Sequence, residues 1–593
     1  MRIFAIMKQL LISILPILLF ASACSASSGD DSSGKDAVPS VPSGIKLNSK
    51  TSHSAVISWD AADADSYDWK LDEKDATIKD GNTKNTNVII DGLSQGHLYA
   101  FYVRSVKGNA VSAYSEPLGV DFGGSNGDAT ADPEAICTDA PLILKLGAKP
   151  ELGSEGFIKV FDTAGNQVDA INLADISTIT VREDGQMIPK EKITADTPFN
   201  TFMDAIPSAS RWRIIHYTPL RLRPDALEIK LHSGVLDFGK EYYVTMDAGV
   251  IKGHQGISKG EWTFKTKALP SSNSELQVNA DGSADFCTVQ GAIRYSGNAG
   301  KNTAVTISIA QGTYDETPYI RDKNNLTLKG ADRSNTIIAY ANNEGFENGT
   351  GASSDSKPAI GGKIVASGGR GLMLVENCDK LSIQNLTIHN TFGQEQGQAE
   401  AVYFNSNYSL TIDNCSLLSL QDTFLCKGSV YVHNSLIAGG CDFIWGYPKA
   451  CLFEGCEIRA DAGGYIVQAR VQNASDKGFV FLNCSITAGS GVKDGSMYLA
   501  RANDHSKEED GKKTYDNVTY INCTMSGVIP ASGWFTNPSP NPSSPTATSG
   551  WKEYGSKDAS GKALDLGNRS KMARVLTSDE AVPYSSKEAV LSN

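Results

Sequence analysis

The sequence predicts an all-β chain in which two β-sandwich modules precede a long solenoid of stacked rungs. Three observations predict it. Helical periodicity is rare across the 593 residues, and short apolar stretches are cut instead by Gly, Asn and Asp, with 56 glycines in all, the texture of many short strands. Alternating apolar and polar positions with turn signals at sandwich spacing fill the first half, and a recurring five-residue phrase fills the second. So long a chain also exceeds one hydrophobic core, at about 150 residues per domain.

The opening "MRIFAIMKQLLISILPILLFASAC" sets Arg2 and Lys8 before an apolar run from Leu10 to Phe20. That run is short for a membrane span and has the form of an export signal, so residues 1–23 are expected to be a signal peptide. "ASAC" resembles a bacterial lipobox, with Ala21 where Leu is usual, and a polar tether covers 24–39. Cys24 is the expected lipid attachment site, because a lone Cys before a flexible tether has little structural use. The expected product is an exported bacterial lipoprotein on the outer membrane or cell surface, or a secreted protein if Cys24 stays unmodified.

Residues 40–123 alternate in "AVISWD" and "LYAFYVRSV", as half-buried strands do. Trp59 and the segment Leu93 to Tyr99 give this module a resemblance to fibronectin type III domains. After a "GGSNGDA" linker, residues 133–268 contain "PLILKL", "GFIKVFD", "TITVRE", "EYYVTMD" and "WTFKT", a second sandwich that resembles bacterial Ig-like modules. Within it "GISKG", 256–260, has the G-x-S-x-G pattern of serine hydrolases. That pattern works on a strand–turn–helix elbow, whereas this one joins strands, so it is set aside. The first module is expected to act as a spacer rather than a binding platform.

From residue 275 the phrases "QNLTI", "DNCSL", "HNSLI", "EGCEI", "LNCSI" and "INCTM" recur, with gaps from Asn385 of 29, 20, 21, 28 and 39 residues. Such irregular periods suit a β-solenoid with loops of varying length. Leu386, Cys415, Ser435, Cys456, Cys484 and Cys523 then form one interior column, where a free Cys behaves as a small hydrophobe. No C-x-x-C occurs and paired Cys/His spacings are missing, so neither zinc nor any other metal is expected.

Register also places the chemistry. Asp422 lies eight residues after Asn414, and Asp442 lies eight after Asn434, so stacked Asn residues put the two carboxylates on adjacent rungs, about 4.8 Å apart. Like charges that close separate in pKa, leaving one group as a nucleophile or base and the other as an acid. Each is followed by apolar bulk, "TFL" and "FIW", an expensive setting for an idle carboxylate. Asp379 and Asp413, by contrast, read as turn-capping groups. Gln421 adjoins the pair and Gln398 lies about a rung earlier, both able to aim N–H donors at a developing oxyanion.

Segments in a fixed order give residues 275–593 a resemblance to the pectin methylesterases. "NADGSADFCTVQGAI" with Gly312 to Glu316 resembles the family's opening, "QAEAV" its Q-A-V-A-L, "QDTF" its Q-D-T-L and "DFIWG" its D-F-I-F-G. "YLAR" lies where L-G-R-P-W is expected, and "WKEYG" and "VLTSDEAVPY" resemble its closing segments. The resemblance implies a right-handed parallel β-helix and an aspartate esterase that needs no cofactor. Asp442 is then the nucleophile on a galacturonate methyl ester, Asp422 the general acid and base, and Gln398 and Gln421 the oxyanion hole. Arg501 holds Asp442 ionised, Trp445 takes the place of a sugar-stacking Phe, and Gln468 matches the Gln of T-A-Q-G-R.

The chain departs from the family at Ala500, Ala502 and Asn503 and at Leu425, where Gly, Pro, Trp and Tyr are expected. The sugar subsites therefore read as remodelled around an intact catalytic set. Two other readings stay open: an esterase of this fold acting on an acyl thioester, and a non-catalytic glycan-binding lipoprotein. A net charge of −13 gives no basic footprint for nucleic acid or anionic membrane. The expected partner is pectin or a pectic oligosaccharide, met by a monomer whose membrane contact is its lipid.

Overall fold

The computed structural model describes residues 38–592, apart from 51–53, 74–75, 92, 94–97, 122–134, 175–199, 204–210, 216–218, 344–356, 361–362, 368–369, 393–396, 503–513 and 537–544. Cys24, the expected signal peptide at 1–23 and most of the expected tether lie outside the described residues, as does Asn503.

The first module packs a three-stranded antiparallel sheet (Lys46–Lys50, Ser54–Ser58, Asn87–Asp91) against a sheet built on Ser66–Glu73 and Leu98–Lys107. Trp59 is central to its core, stacked 5.9 Å from Phe101. In the second module Gln167–Asn172, Phe157–Asp162, Glu241–Met246 and Ile257–Lys265 form one antiparallel sheet, and Leu220–Leu222, Ala226–Ile229 and Leu142–Lys145 form another. The two share one core around Trp262 and Phe264. Ser258 of "GISKG" sits exposed on the outer strand Ile257–Lys265, with no helix after it, so the nucleophile elbow is absent there.

That module docks on the first turn of the third. Asp139 accepts from the backbone N–H of Cys287 and Thr288 and from Thr288 Oγ1, at 3.1, 2.7 and 2.6 Å. It thereby satisfies donors at the start of the helix Val289–Ser296, which would otherwise be orphaned. Cys137, Asp139 and Cys287 have their ligating atoms within 4.8 Å of one another, but both Asp139 oxygens already serve this helix end. Val289, Ala292 and Ile293 turn inward and cover the first rung.

Among the described residues, the third module is a parallel β-helix of 23 strands, Glu275–Val278 through Ala573–Val575. Its rungs are in register: Ile383 faces Ile412, which faces Val432, then Phe453, Phe481 and Tyr520. The last three rings stack at 4.8 and 4.4 Å, each pair 7° from parallel. At the bend beside them Asn385, Asn414, Asn434, Asn483 and Asn522 all have φ between 47° and 55°, with Gly455 at 62° in the same column. Left-handed backbone is costly for most L-residues and tolerated by Asn and Gly, which is why the phrase keeps these two types.

The next residue of each phrase points inward. Leu386, Cys415, Ser435, Cys456, Cys484 and Cys523 are at most 1% exposed, and all ten described cysteines are free thiols. Cys456, Cys484 and Cys523 each direct the sulfur at backbone carbonyls, Cys484 at Phe453 O (3.3 Å). Asp379 accepts from Ser409 Oγ and N and from Lys380 N, and Asp413 pairs with His433 at 2.8 Å. Asp379 caps a bend, whereas Asp413, at the end of the strand Ser409–Asp413, holds the His433 ring of the next rung rather than bend N–H groups.

Candidate active site

Two strands build the site, Phe424–His433 and Leu436–Glu454. They pair in parallel with Phe424 opposite Ile444 and His433 opposite Glu454. Just before this ladder Gln421 bridges Cys441, and the Asp422 N–H donates to Cys441 O at 3.1 Å. Asp422 and Asp442 thus hold equivalent places on neighbouring rungs. Both are left-handed, with φ of 64° and 47°, a strained conformation for Asp of the kind that clusters at functional sites.

The chain around them is shaped to allow that bend. A Cβ at Gly439 would lie 2.3 Å from Phe443 Cβ and 2.8 Å from Thr423 Oγ1, so only glycine lets the two rungs close up here. Thr423 hydroxyl donates to Ala438 O at 2.9 Å. Phe424 and Phe443 are fully buried and fix the two Asp backbones from inside.

Asp442 is 5% exposed. Arg501 Nε donates to both of its oxygens, at 2.8 and 3.0 Å, and Arg501 Nη2 donates to Oδ2 as well. Gln468 Nε2 adds a bond at 3.3 Å. Burial raises the Asp442 carboxyl above its ordinary value, with Arg501 and then Arg470 opposing. Asp422, 7% exposed, receives Arg370 Nη2 at 2.8 Å. Its carboxyl is lifted well above the usual range, first by burial, then by the Glu400 charge, with Asp442 adding and Arg370 and Arg470 opposing. The two groups are therefore unlike in degree: both are raised, but Asp442 sits in the Arg501 fork that favours its anion, while Asp422, lifted further, favours its proton.

Gln398 and Gln421 also meet. Ala399 N–H donates to Gln421 O at 3.2 Å, placing the two Gln residues side by side on successive rungs next to the carboxylates, both half-exposed. Their side-chain amides hold no hydrogen bond among the described residues.

Two expected substrate contacts come out differently. Trp445 does not offer a free face to a sugar: it is 3% exposed and packed with Tyr403, Leu425 and Leu374, and the guanidinium groups of Arg370 and Arg470 lie 5.6 and 5.0 Å from its ring. Gln468 is turned to the nucleophile side, bonding Asp442 and accepting from Arg470 Nε and Nη2 at 3.0 and 2.7 Å. Ala500 and Ala502 are interior, and Leu425 is 1% exposed, so these departures act on packing. Half-exposed rings lie on the other flank, where Tyr465, Tyr498 and Phe535 contact one another and Arg501 lies 5.5 Å from the Tyr465 ring.

Arg370 and Glu400 were not legible as site residues. The one trace is Glu400 itself, a charge in "QAEAV" where the resembling motif is apolar. Arg370 stands in a glycine-rich stretch, 52 residues from Asp422, and no spacing points to it.

Comparison with known proteins gives a consistent picture. The Pectinesterase family model matches residues 275–593, and a fibronectin type III domain model matches 40–121. Pectinesterase 31 of Arabidopsis thaliana is 32% identical over 231 residues, 38% of this chain and 68% of that protein. Among solved structures, the pectin methylesterase PemA from Erwinia chrysanthemi is 23% identical, with a TM-score of 0.42, covering 55% of this chain and 98% of its own. A pectin methylesterase in complex with a hexasaccharide is 23% identical with a TM-score of 0.40, covering 55% of this chain and 98% of its own.

Proposed function

The chain belongs to the pectinesterase family, and on that premise we propose that its β-helix removes methyl esters from the galacturonate units of pectin through a covalent intermediate on Asp442. The observation that carries this reading is the pairing of unlike carboxylates on neighbouring rungs, one gripped by Arg501 and the other inclined to keep its proton.

Asp442 attacks the ester carbonyl carbon, and the oxyanion that forms takes N–H donors from Gln398 and Gln421. As the carbon–methoxy bond breaks, Asp422 gives its proton to the leaving oxygen and methanol departs. Asp422, now ionised, takes a proton from water, and the hydroxide attacks the galacturonyl–aspartyl anhydride. Asp442 leaves as a carboxylate, Asp422 is again protonated, and the product acid releases its proton to solvent. Arg501 favours Asp442 as the anion in the first and last states. The charges needed are all supplied by side chains, so the rate survives a chelator.

Methanol release from methyl-esterified pectin, for wild type and Asp442→Ala, tests the reading. Release by wild type and its loss in the variant is the expected result. Tight pectin binding without release would make the chain a glycan binder, and neither binding nor release would point to another ester, such as a thioester. Lipidation of Cys24 belongs to the same proposal, placing the enzyme at a bacterial surface with the two sandwich modules as spacers. An unmodified N-terminal Cys24 peptide from native membranes, read by mass spectrometry, would refute that part.

A further inference from the structure

The acid side of the cleft holds a second carboxylate that the reaction above leaves unused. Glu400 is fully buried, and Arg370, 6% exposed, sets Nε against both its oxygens at 3.0 and 3.2 Å while turning Nη2 to Asp422 Oδ2 at 2.8 Å. Backbone contacts fix the pair. Leu372 N–H and Asn390 Nδ2 both donate to Glu400 O, at 2.8 and 3.0 Å, and a Cβ at Gly371 would lie 2.9 Å from Tyr403 Cβ. An idle buried charge of this kind is costly, and a buried pair persists only where geometry repays its desolvation.

We infer that Glu400 is a positioning residue for the acid: acting through Arg370, it sets the pH at which Asp422 parts with its proton. One guanidinium serves two carboxylates. With Glu400 ionised the charge of Arg370 is already matched, so Arg370 orients Asp422 through an N–H without requiring it to ionise. Without that match Arg370 becomes the counter-ion of Asp422 and holds it as an anion, which cannot protonate methanol. The other groups facing Asp422 are Asp442, which opposes its ionisation, Arg470, which favours it, and the half-exposed Cys441. The inference rests on the reading of Asp422 as the general acid.

The test is the pH profile of kcat/KM for methanol release by the full chain. In Glu400→Gln the basic limb, which reports loss of the acid's proton, is expected to move down by about one pH unit while the acidic limb stays in place. In the double variant Arg370→Met with Glu400→Val, which removes both charges at similar volume, the basic limb returns towards wild type. A uniform loss at every pH in Glu400→Gln, or a double variant whose limb stays where Glu400→Gln puts it, overturns the inference. If wild type releases no methanol, the function proposed above fails. The Asp422 carboxyl is then followed by carbon-13 NMR in Asp-labelled protein, with Asp422→Asn giving the assignment. A titration midpoint unchanged by Glu400→Gln overturns the inference there too, and a lower midpoint sustains it.

Discussion

Arg501 meets Asp442 edge-on, with Nε between the two carboxylate oxygens at 2.8 and 3.0 Å and Nη2 closing the fork on Oδ2. A planar guanidinium can hold two oxygens in one orientation, and an ammonium cannot. Arg501→Lys is therefore expected to lower kcat/KM about 10- to 100-fold while keeping the positive charge. Arg501→Gln removes the charge as well. Because that charge draws the Asp442 carboxyl down, its loss should move the acidic limb of the pH–rate profile to higher pH. An acidic limb identical in wild type and Arg501→Gln would show that Asp442 does not act as the anion.

The bend column makes a stability prediction. Asn483 has φ of 54° between the strands Gly478–Leu482 and Ser485–Ala488. Asn483→Gly should be close to neutral, whereas Asn483→Val should cost about 1–2 kcal/mol, because a β-branched residue is most strained there. Equal losses for the two substitutions, in denaturant unfolding, would mean that the Asn side chain and not its backbone matters.

That column is also why so much of the fold could be read from the sequence. An in-register solenoid repeats one local constraint on every rung, so "N-C" recurs wherever a left-handed bend is followed by a small interior residue, and the offset of eight carried Asp422 and Asp442 onto adjacent rungs. Trp445 misled for the opposite reason. Sequence position marks it as an outward residue on its strand, but its exposure depends on Arg370 and Arg470, side chains from other turns. Arg370 was invisible because its partners come together only through tertiary contact, with no repeat linking "GGRG" to "QAEAV".

Glu316, in the signature Gly312 to Glu316, is buried against the start of the helix Val289–Ser296 and accepts from Val289 and Gln290 N–H at 2.8 and 2.7 Å. Burial pushes its carboxyl up to about 7, with Asp139 adding and Lys230 and the two N–H groups opposing. The folded state thus holds a proton that the unfolded chain loses near its ordinary value of about 4.5. This contribution to stability is full below that value, declines as pH rises and is gone above about 7. Relative to Glu316→Gln, wild type should lose about 3 kcal/mol between about pH 4.5 and 7. Other titrating groups cancel in the difference, and a difference that is flat with pH would show that Glu316 stays ionised in its niche.

Lys552 runs the opposite way. It is fully buried, its Nζ donates to Gly550 O at 2.8 Å, and the Tyr584 ring lies 5.5 Å from it. Burial, with the Lys477 charge adding, brings its ammonium down to about 7. The unfolded chain takes up a proton below about 10.4, whereas the folded protein does so only below about 7, so stability falls as pH drops through that window and stays lowered beneath it. Lys552→Met keeps the length of the side chain and removes the charge, at the cost of about 1 kcal/mol for the hydrogen bond to Gly550 O. The variant should therefore melt above wild type near about pH 7, where the depressed Lys552 costs most, and at or below it near about pH 11, where the unfolded lysine has also lost most of its proton and only the lost bond counts. The same difference in melting temperature at both values would mean that Lys552 carries its charge inside the fold at no cost.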